Sequence, residues 1–471
     1  MKQIGQNWIS WEMLPTIFTL AWPTMLEQLM QTAVQYVDTA MVGALGTQAT
    51  AAVGSTTTIN WLISGTLSAL GIGFLSFIAR ALGAKEPRYA QRFAAQSVCV
   101  TLVSGLLFTV LTLGLSSMVP VWMQVDVEIR DLAACYFFIL YVPTLPRAAT
   151  VIFGTVLRAA GDTKTPMAVG LMVNLINIIL NFLLIYPSRT VTLFSPSVYM
   201  PGAGLGVAGA AIASAVAVTI GGVFMTIAFW RHPLLSPCGM RLWPDPAILR
   251  PCLQLALPNM LQRFATSLGY VAFAAMINAL GEVAAAAHTI ANTVESAFYI
   301  PGYGMQTAAA TLAGNAMGTQ DSRRMRELAR TIIVIEGGLM VLSGGLLFLF
   351  APSMMGLFST SSDVITLGST VLRMVAVSEP FFGIAIIIEG ILLGVGDTVR
   401  PFIYNILGMW GVRIVGTFLC TRLMGYGLVS AWACMISHNL VLFALFLFYC
   451  LCSKESPLNS IKKPSATSSP S

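Results

Sequence analysis

The sequence predicts an all-α integral membrane protein with about twelve transmembrane helices in two six-helix lobes, related by a parallel pseudo-two-fold axis along the membrane normal. Three observations predict it. Of the 471 residues, 56% are hydrophobic and only 9% are charged, with a mean hydropathy of +0.79. A soluble domain carries about 25% charged residues, so this chain has too few to cover a water-exposed globule, and lipid must be its main solvent. Apolar runs recur at the length of about 20 residues that a bilayer core demands of a helix. The second half also repeats the first at a fixed offset of 235 residues.

The first span, 14–41, contains Pro23, Glu27 and Asp38 and is too long and too polar for a signal-peptide core, so it is expected to be retained as a helix. Spans 50–80, 92–115, 132–157, 166–187 and 206–230 complete an N-terminal lobe over residues 1–230. A polar linker, 231–251, leads to the second lobe, 252–452, with spans 252–280, 287–315, 330–351, 365–393, 401–421 and 428–452. The remainder, 453–471, is rich in Ser, Pro and Lys and reads as a disordered tail.

Charge placement orients the bundle. Segments 80–92, 158–164, 231–250 and 323–330, with Arg400 and both termini, hold 18 of the 25 basic residues. The intervening loops hold only Arg130, Arg189 and Arg422. Basic loops face the cytoplasm, so both termini are expected there, in a multi-pass protein of the plasma (inner) membrane. The formal charge of +6 is therefore a topology signal, and no nucleic-acid partner is expected. The eight scattered cysteines show neither metal spacing nor a disulfide framework. No cofactor and no metal site are expected, and the chain is read as a monomer among membrane lipid.

The repeat is carried by Leu20-Ala21-Trp22-Pro23 against Leu255-Ala256-Leu257-Pro258, Ala44-Leu45-Gly46 against Ala279-Leu280-Gly281, and Gly83 against Gly318. Gly161-Asp162-Thr163 with Pro166 likewise matches Gly396-Asp397-Thr398 with Pro401. An even number of spans per copy brings the second copy into the membrane from the same side, hence a parallel repeat. The Gly-Asp-Thr segments read first as tight helix–helix turns: Gly for a left-handed cap, Asp or Thr to cap the next helix, Pro in its first turn.

These paired turns, the first-span run from Pro23 to Val37-Asp38-Thr39-Ala40-Met41-Val42-Gly43-Ala44-Leu45-Gly46, and Ala286-Ala287-His288-Thr289-Ile290-Ala291 resemble the multidrug and toxic compound extrusion family over about residues 14–450. The resemblance implies two six-helix lobes around a cleft. It also implies export of small organic, often cationic, compounds or drugs in exchange for inward H⁺ or Na⁺. It gives Asp38 a coupling-ion role and places Asn177 and Asn181 beside it. Some relatives have Asp at the position of Asn181, and many have a seventh-span Glu where this chain has Thr266, so a second-lobe ion site of that type is not expected.

The residues support parts of this on their own. An ionised carboxylate deep in a span is costly and argues for a partner or a titrating role, so Asp38 is the leading coupling-ion candidate. Glu27 and Gln31 share its helix face, and Glu27 either extends a hydrated path toward Asp38 or sits at a wet cleft surface. Asn174, Asn177 and Asn181 form an amide stripe, suited to a cation, to a carboxylic acid, or simply to interhelical adhesion. Arg263, Glu295 and Glu389 are intramembrane charges of the second lobe, for which an ion pair between Arg263 and either Glu is expected unless one Glu faces substrate. Met172, Trp61 and Tyr299 join Gln31, Asn174, Arg263, Glu295 and Glu389 as cleft candidates, since soft and aromatic side chains suit organic cations, although the Met and aromatic residues equally serve packing or an interfacial belt. His288 reads as a packing residue.

Other functions fit less well. A flippase for lipid-linked intermediates would favour a cationic cleft, and an intramembrane enzyme such as a prenyltransferase would need clustered Asp for Mg²⁺; the spans show neither. A passive channel is disfavoured by the lobed repeat.

Overall fold

The computed structural model describes residues 11–123, 125–192, 197–453 and 456–458. The tail beyond 458, expected to be disordered, lies outside the described residues. Helices α1 (Leu14–Gly43), α2 (Thr47–Gly54), α3 (Thr57–Gly83), α4 (Pro87–Gly114), α5 (Val119–Trp122), α6 (Arg130–Tyr141), α7 (Thr144–Ala159), α8 (Lys164–Leu184) and α9 (Gly206–Arg231) make up the first half. The second half holds α10 (Pro246–Asn278), α11 (Glu282–Gly318), α12 (Ser322–Phe358), α13 (Ser362–Val395), α14 (Val399–Ile406), α15 (Val415–Phe418) and α16 (Leu428–Cys452).

Among the described residues, nine helical stretches are long and apolar enough to cross a bilayer, with α2 and α3 together forming one and 399–423 another. The segment 127–159 is long and apolar enough for a further span if its two parts are taken together, with a bend of 50° between α6 and α7, where Pro143 lacks the N–H a continuous helix needs. Helices α1 and α11, 30 and 37 residues long, also suffice at about 1.5 Å per residue, although each carries an acidic side chain in mid-helix. The expected set of about twelve spans is thereby accounted for. Stretch 399–423 is not regular α-helix: residues Leu407–Ile414 and Leu419–Leu423 wind as π-helix around the short α15.

One element departs from the expected loop. Residues between α8 and α9 form an antiparallel hairpin, β1 (Pro187–Thr192) with β2 (Ser197–Ala203). Its β-branched residues, Thr190, Val191, Thr192 and Val198, favour that conformation, and hairpin formation satisfies backbone groups a bare loop would leave to water.

The 235-residue repeat is written into the backbone. Gly46 and Gly281 share φ of 113° and 110°, and Gly161 and Gly396 share 85° and 88°. Even the non-glycine pair Lys85 and Gln320 adopts the same left-handed region, at 61° and 55°. Both Gly-Asp-Thr segments are turns as expected. Asp162 Oδ1 accepts from Thr165 N at 3.0 Å and Asp397 Oδ1 from Arg400 N at 3.3 Å, capping α8 and α14.

Contacts divide the chain into two compact units, one of Met1–Met25, Leu75–Ala90 and Gln254–Ser471, the other of Leu26–Phe74 and Gln91–Leu253. The first unit therefore includes the opening turns of α1 and the end of α3 along with the second half. There Ile17, Leu20 and Ala21 pack with Met305, Ala308, Ile332 and Ile387, and Thr24 Oγ1 donates to Gly304 O at 2.9 Å. In the same unit the ends of α3 and α11 cross symmetrically. A methyl group at Gly83 would collide with the backbone of Asn315, and one at Gly318 with the backbone of Arg80 and Ala84. Arg80 and Asn315 are themselves 235 residues apart, so this is one contact made twice, as a two-fold axis requires.

In the second unit the linker after α9 is fastened to α4. Gln96 Nε2 donates to Arg241 O and Trp243 O, both at 3.0 Å, and its Oε1 accepts from Asp245 N at 2.9 Å. His232, which caps α9, is held below the usual imidazole range by burial, with nearby Asp162 acting in the opposite sense.

Candidate functional site

Asp38 lies on the last third of α1, where the sequence offers no basic residue within two turns. The structure brings the amide stripe of α8 to it. Asn181, almost fully buried, donates from Nδ2 to Asp38 Oδ1 at 2.6 Å. Asn177, one turn earlier and also buried, directs its amide nitrogen at the carboxylate, reaching Oδ1 at 2.9 Å and Oδ2 at 3.1 Å, while its carbonyl accepts from Ser214 Oγ of α9 at 3.0 Å. Asn181 Oδ1 has no hydrogen-bond partner.

The surroundings are polar at one remove. Tyr136 of α6 lies within electrostatic reach of Asp38 and of Arg147. Arg147 donates from Nη1 to Asn60 Oδ1 at 3.1 Å, and Tyr141 OH donates to the same oxygen at 3.3 Å. Sequence reasoning singled out neither Ser214, Asn60, Tyr136 nor Arg147. Arg147 alone carried a signal, as an intramembrane charge just after the Tyr141–Pro143 bend.

Glu27 belongs elsewhere. Eleven residues before Asp38, hence about 16 Å along the helix, it accepts from Arg158 Nη2 at 2.8 and 2.7 Å. Gln31 and Trp61 are exposed, Met172 and Asn174 half-buried. None of the four has a hydrogen bond to the Asp38 cluster.

The second-half candidates form a separate group. No ion pair within 4 Å joins Arg263 to Glu295 or Glu389 among the described residues, which corrects the pairing expected from sequence. Arg263 is exposed, within electrostatic reach of Glu389 and Tyr303 but not paired with either glutamate, and Glu389 accepts from Gln262 Nε2 at 2.8 Å. Glu295 is buried, near Arg413 of the π-helical stretch. The Arg413 guanidinium stacks over Phe273 at 4.0 Å and Tyr270 at 5.0 Å. Tyr299 packs edge-on to Tyr303 and Phe382, and His288 lies edge-on between Phe273 and Trp432, a packing role as expected. No three His, Cys, Asp or Glu residues converge as metal ligands among the described residues.

Comparison with known proteins places these features in a family. The MatE family profile matches residues 23–183 and 258–419, two copies whose starts, Pro23 and Pro258, are 235 residues apart. "Probable multidrug resistance protein NorM" of Thermotoga maritima is 26% identical over 95% of each chain. "Multidrug resistance protein PmpM" of Pseudomonas aeruginosa is 24% identical over 85% of this chain and 82% of its own. Among solved structures, a MOP superfamily transporter from Pyrococcus furiosus superposes with TM-score 0.85 at 24% identity, covering 95% of this chain and 96% of its own. An outward-facing multidrug resistance MATE transporter superposes equally well, at 23% identity. The matched profile spans both halves and most of the membrane helices: the chain belongs to the multidrug and toxic compound extrusion (MatE) family, and is a membrane transporter rather than an enzyme.

Proposed function

We propose that the protein is a secondary active antiporter that exports small organic cations, drugs among them, in exchange for H⁺ by alternating access, with Asp38 as the group that takes the proton. The observation that carries this reading is the 2.6 Å bond from Asn181 Nδ2 to Asp38 Oδ1. Amide N–H groups aimed at a carboxylate put the positive ends of their dipoles at the site. That arrangement steadies an ionised Asp38 between proton-binding events and repels Na⁺, which needs carbonyl and carboxylate oxygens turned inward. A proton adds directly to the carboxylate, and Asn177 can turn its carbonyl to accept the new O–H.

Exchange follows from one charge serving two ligands. Ionised Asp38 attracts a cationic substrate from the cytoplasmic side; protonation from the opposite side removes the charge and releases it. Differential affinity between the two states supplies the coupling. The names of the relatives support drugs as substrates, and the basic loops support cytoplasmic termini in the plasma membrane. Ethidium efflux from proteoliposomes, with proton and sodium gradients imposed separately, tests the reading. Efflux driven by the proton gradient alone is expected; efflux driven by sodium alone would reassign the ion.

A further inference from the structure

The second half buries three glutamates on three adjacent helices, Glu295 of α11, Glu336 of α12 and Glu379 of α13, each no more than 5% exposed. Both carboxyl oxygens of Glu336 and both of Glu379 have no hydrogen-bond partner. They are nevertheless given room. The helices carry glycine where the Glu336 carboxyl lies: a Cβ on Gly302 of α11 would come within 2.8 Å of Glu336 Oε1, and one on Gly383 of α13 within 3.1 Å. A Cβ on Gly344 would press on Glu379 Cβ at 3.4 Å. Glu379 in turn feels the charges of Glu295 and Glu336.

Compensating charge is scarce. The titratable and charged groups on this side are Glu295, Tyr299, Tyr303 and His288 from α11, Glu336 from α12, Glu379 and Glu389 from α13, Tyr270 and Arg263 from α10, Arg413 from the π-helical stretch and His438 from α16; Arg263 acts on Glu389 and Tyr303 and not on Glu336 or Glu379. Among the described residues Arg413 is the one buried guanidinium; it lies against aromatic rings and donates to Met435 Sδ at 3.0 Å rather than to a carboxylate. Both nitrogens of His438 are without partners, so that ring supplies no balancing contact. One cation cannot neutralise three carboxylates, and an ionised carboxylate without donors in a membrane interior takes up a proton instead. The carboxyls do not converge as metal ligands, which points to protons rather than a divalent ion. Arg413 sits in π-helix, whose unusual turns concentrate at functional sites.

We propose that Glu336 and Glu379 form a second proton-binding site of this transporter, held apart from Asp38 within the second half, where each carboxylate plus H⁺ becomes a neutral carboxylic acid in this conformation and releases the proton when the helices around it admit water. The claim that these protons are coupled to export rests on the antiport reading; the claim that they are bound does not.

Infrared spectroscopy of the full chain in lipid nanodiscs tests the binding. Wild type at neutral pH should show buried carboxylic-acid C=O bands that shift in D₂O, with one band missing in Glu336→Gln and another in Glu379→Gln. Absence of such bands in wild type overturns the proposal without recourse to any variant, as does their full persistence in both variants. Ethidium exchange in proteoliposomes tests the coupling. Each coupled proton changes the steady-state ratio by about tenfold per pH unit, so each Gln variant should lose one such factor with Asp38 intact. Unchanged slopes in both variants refute coupling at this site and leave the Asp38 reading standing. Failure of wild type to respond to a proton gradient refutes the antiport reading instead, and the infrared bands then decide the site alone.

Discussion

The symmetric crossing of α3 and α11 predicts how a single methyl group shifts the transport cycle. At Gly83 an added Cβ would lie 2.8 Å from the carbonyl carbon of Asn315 and 2.9 Å from its Cα; at Gly318 it would lie 2.8 Å from Ala84 N and 3.0 Å from the carbonyl carbon of Arg80. Ordinary contact begins near 3.4 Å and the carbonyl oxygens of Asn315 and Arg80 lie closer still, so each methyl must displace backbone by about an ångström, and backbone cannot rotate away as a side chain can. Overpacking of this kind costs about 1–3 kcal/mol, and with rigid neighbours about 2–3 kcal/mol is expected. If the crossing is closed in one state of the cycle and parted in the other, Gly83→Ala disfavours only the closed state, shifting the populations by about 30- to 150-fold. Gly318→Ala should do the same, and the double variant should fall short of the sum because both methyls press on one contact. Spin labels at exposed Arg88 and Arg323, in a background without the eight native cysteines, read the separation by electron–electron resonance. A longer distance in both single variants is expected. An unchanged distance distribution in both would refute the argument that this crossing opens.

Three further expectations concern single side chains. Glu27→Ala removes the carboxylate from Arg158, a pair whose side chains are only 23% and 18% exposed; breaking a buried pair costs about 3–5 kcal/mol, here discounted for partial exposure to about 2 kcal/mol. The thermal transition should fall and the Glu27→Arg, Arg158→Glu swap should recover part of it, whereas a transition equal to wild type would contradict the pairing. Asn181→Leu deletes a charge-assisted bond worth about 1.5–3 kcal/mol to ionised Asp38. Ethidium affinity should therefore drop tenfold or more by fluorescence titration, and unaltered affinity would dissociate Asn181 from the site. His232 is held below its ordinary value, so the neutral ring is the one that fits the fold; its contribution is present above about pH 6.5 and fades as the pH falls through the lowered folded value. Hydrogen exchange across residues 232–245 should accelerate in mild acid in wild type and lose that dependence in His232→Gln.

The spans, the repeat and the Gly-Asp-Thr turns were legible because they depend on local rules: helix length against bilayer thickness, and glycine where φ is positive. The hairpin after α8 was not, since its short β-branched run resembles any polar loop until its two strands meet. The bend at Pro143 and the π-helical stretch around Arg413 were hidden within unbroken apolar runs. At the site, helical spacing put Asn177 and Asn181 on one face, and resemblance placed them beside Asp38, where the structure has them in contact. Helical spacing put Glu27 on the face of Asp38 but could not show its partner Arg158, 131 residues away in sequence. Glu336 and Glu379 could be read as intramembrane or near-end charges, but only the packing of α11, α12 and α13 reveals that their oxygens lack partners.

The most direct test of the account is gradient-driven ethidium efflux by Asp38→Asn against wild type in proteoliposomes of matched protein content. The substitution keeps the shape, and keeps a hydrogen-bond acceptor for Asn181, but abolishes the charge that substrate and proton are held to share. The account predicts that the variant inserts and folds as wild type does yet exports nothing above the leak when the proton gradient is imposed. Export at the wild-type rate would contradict it.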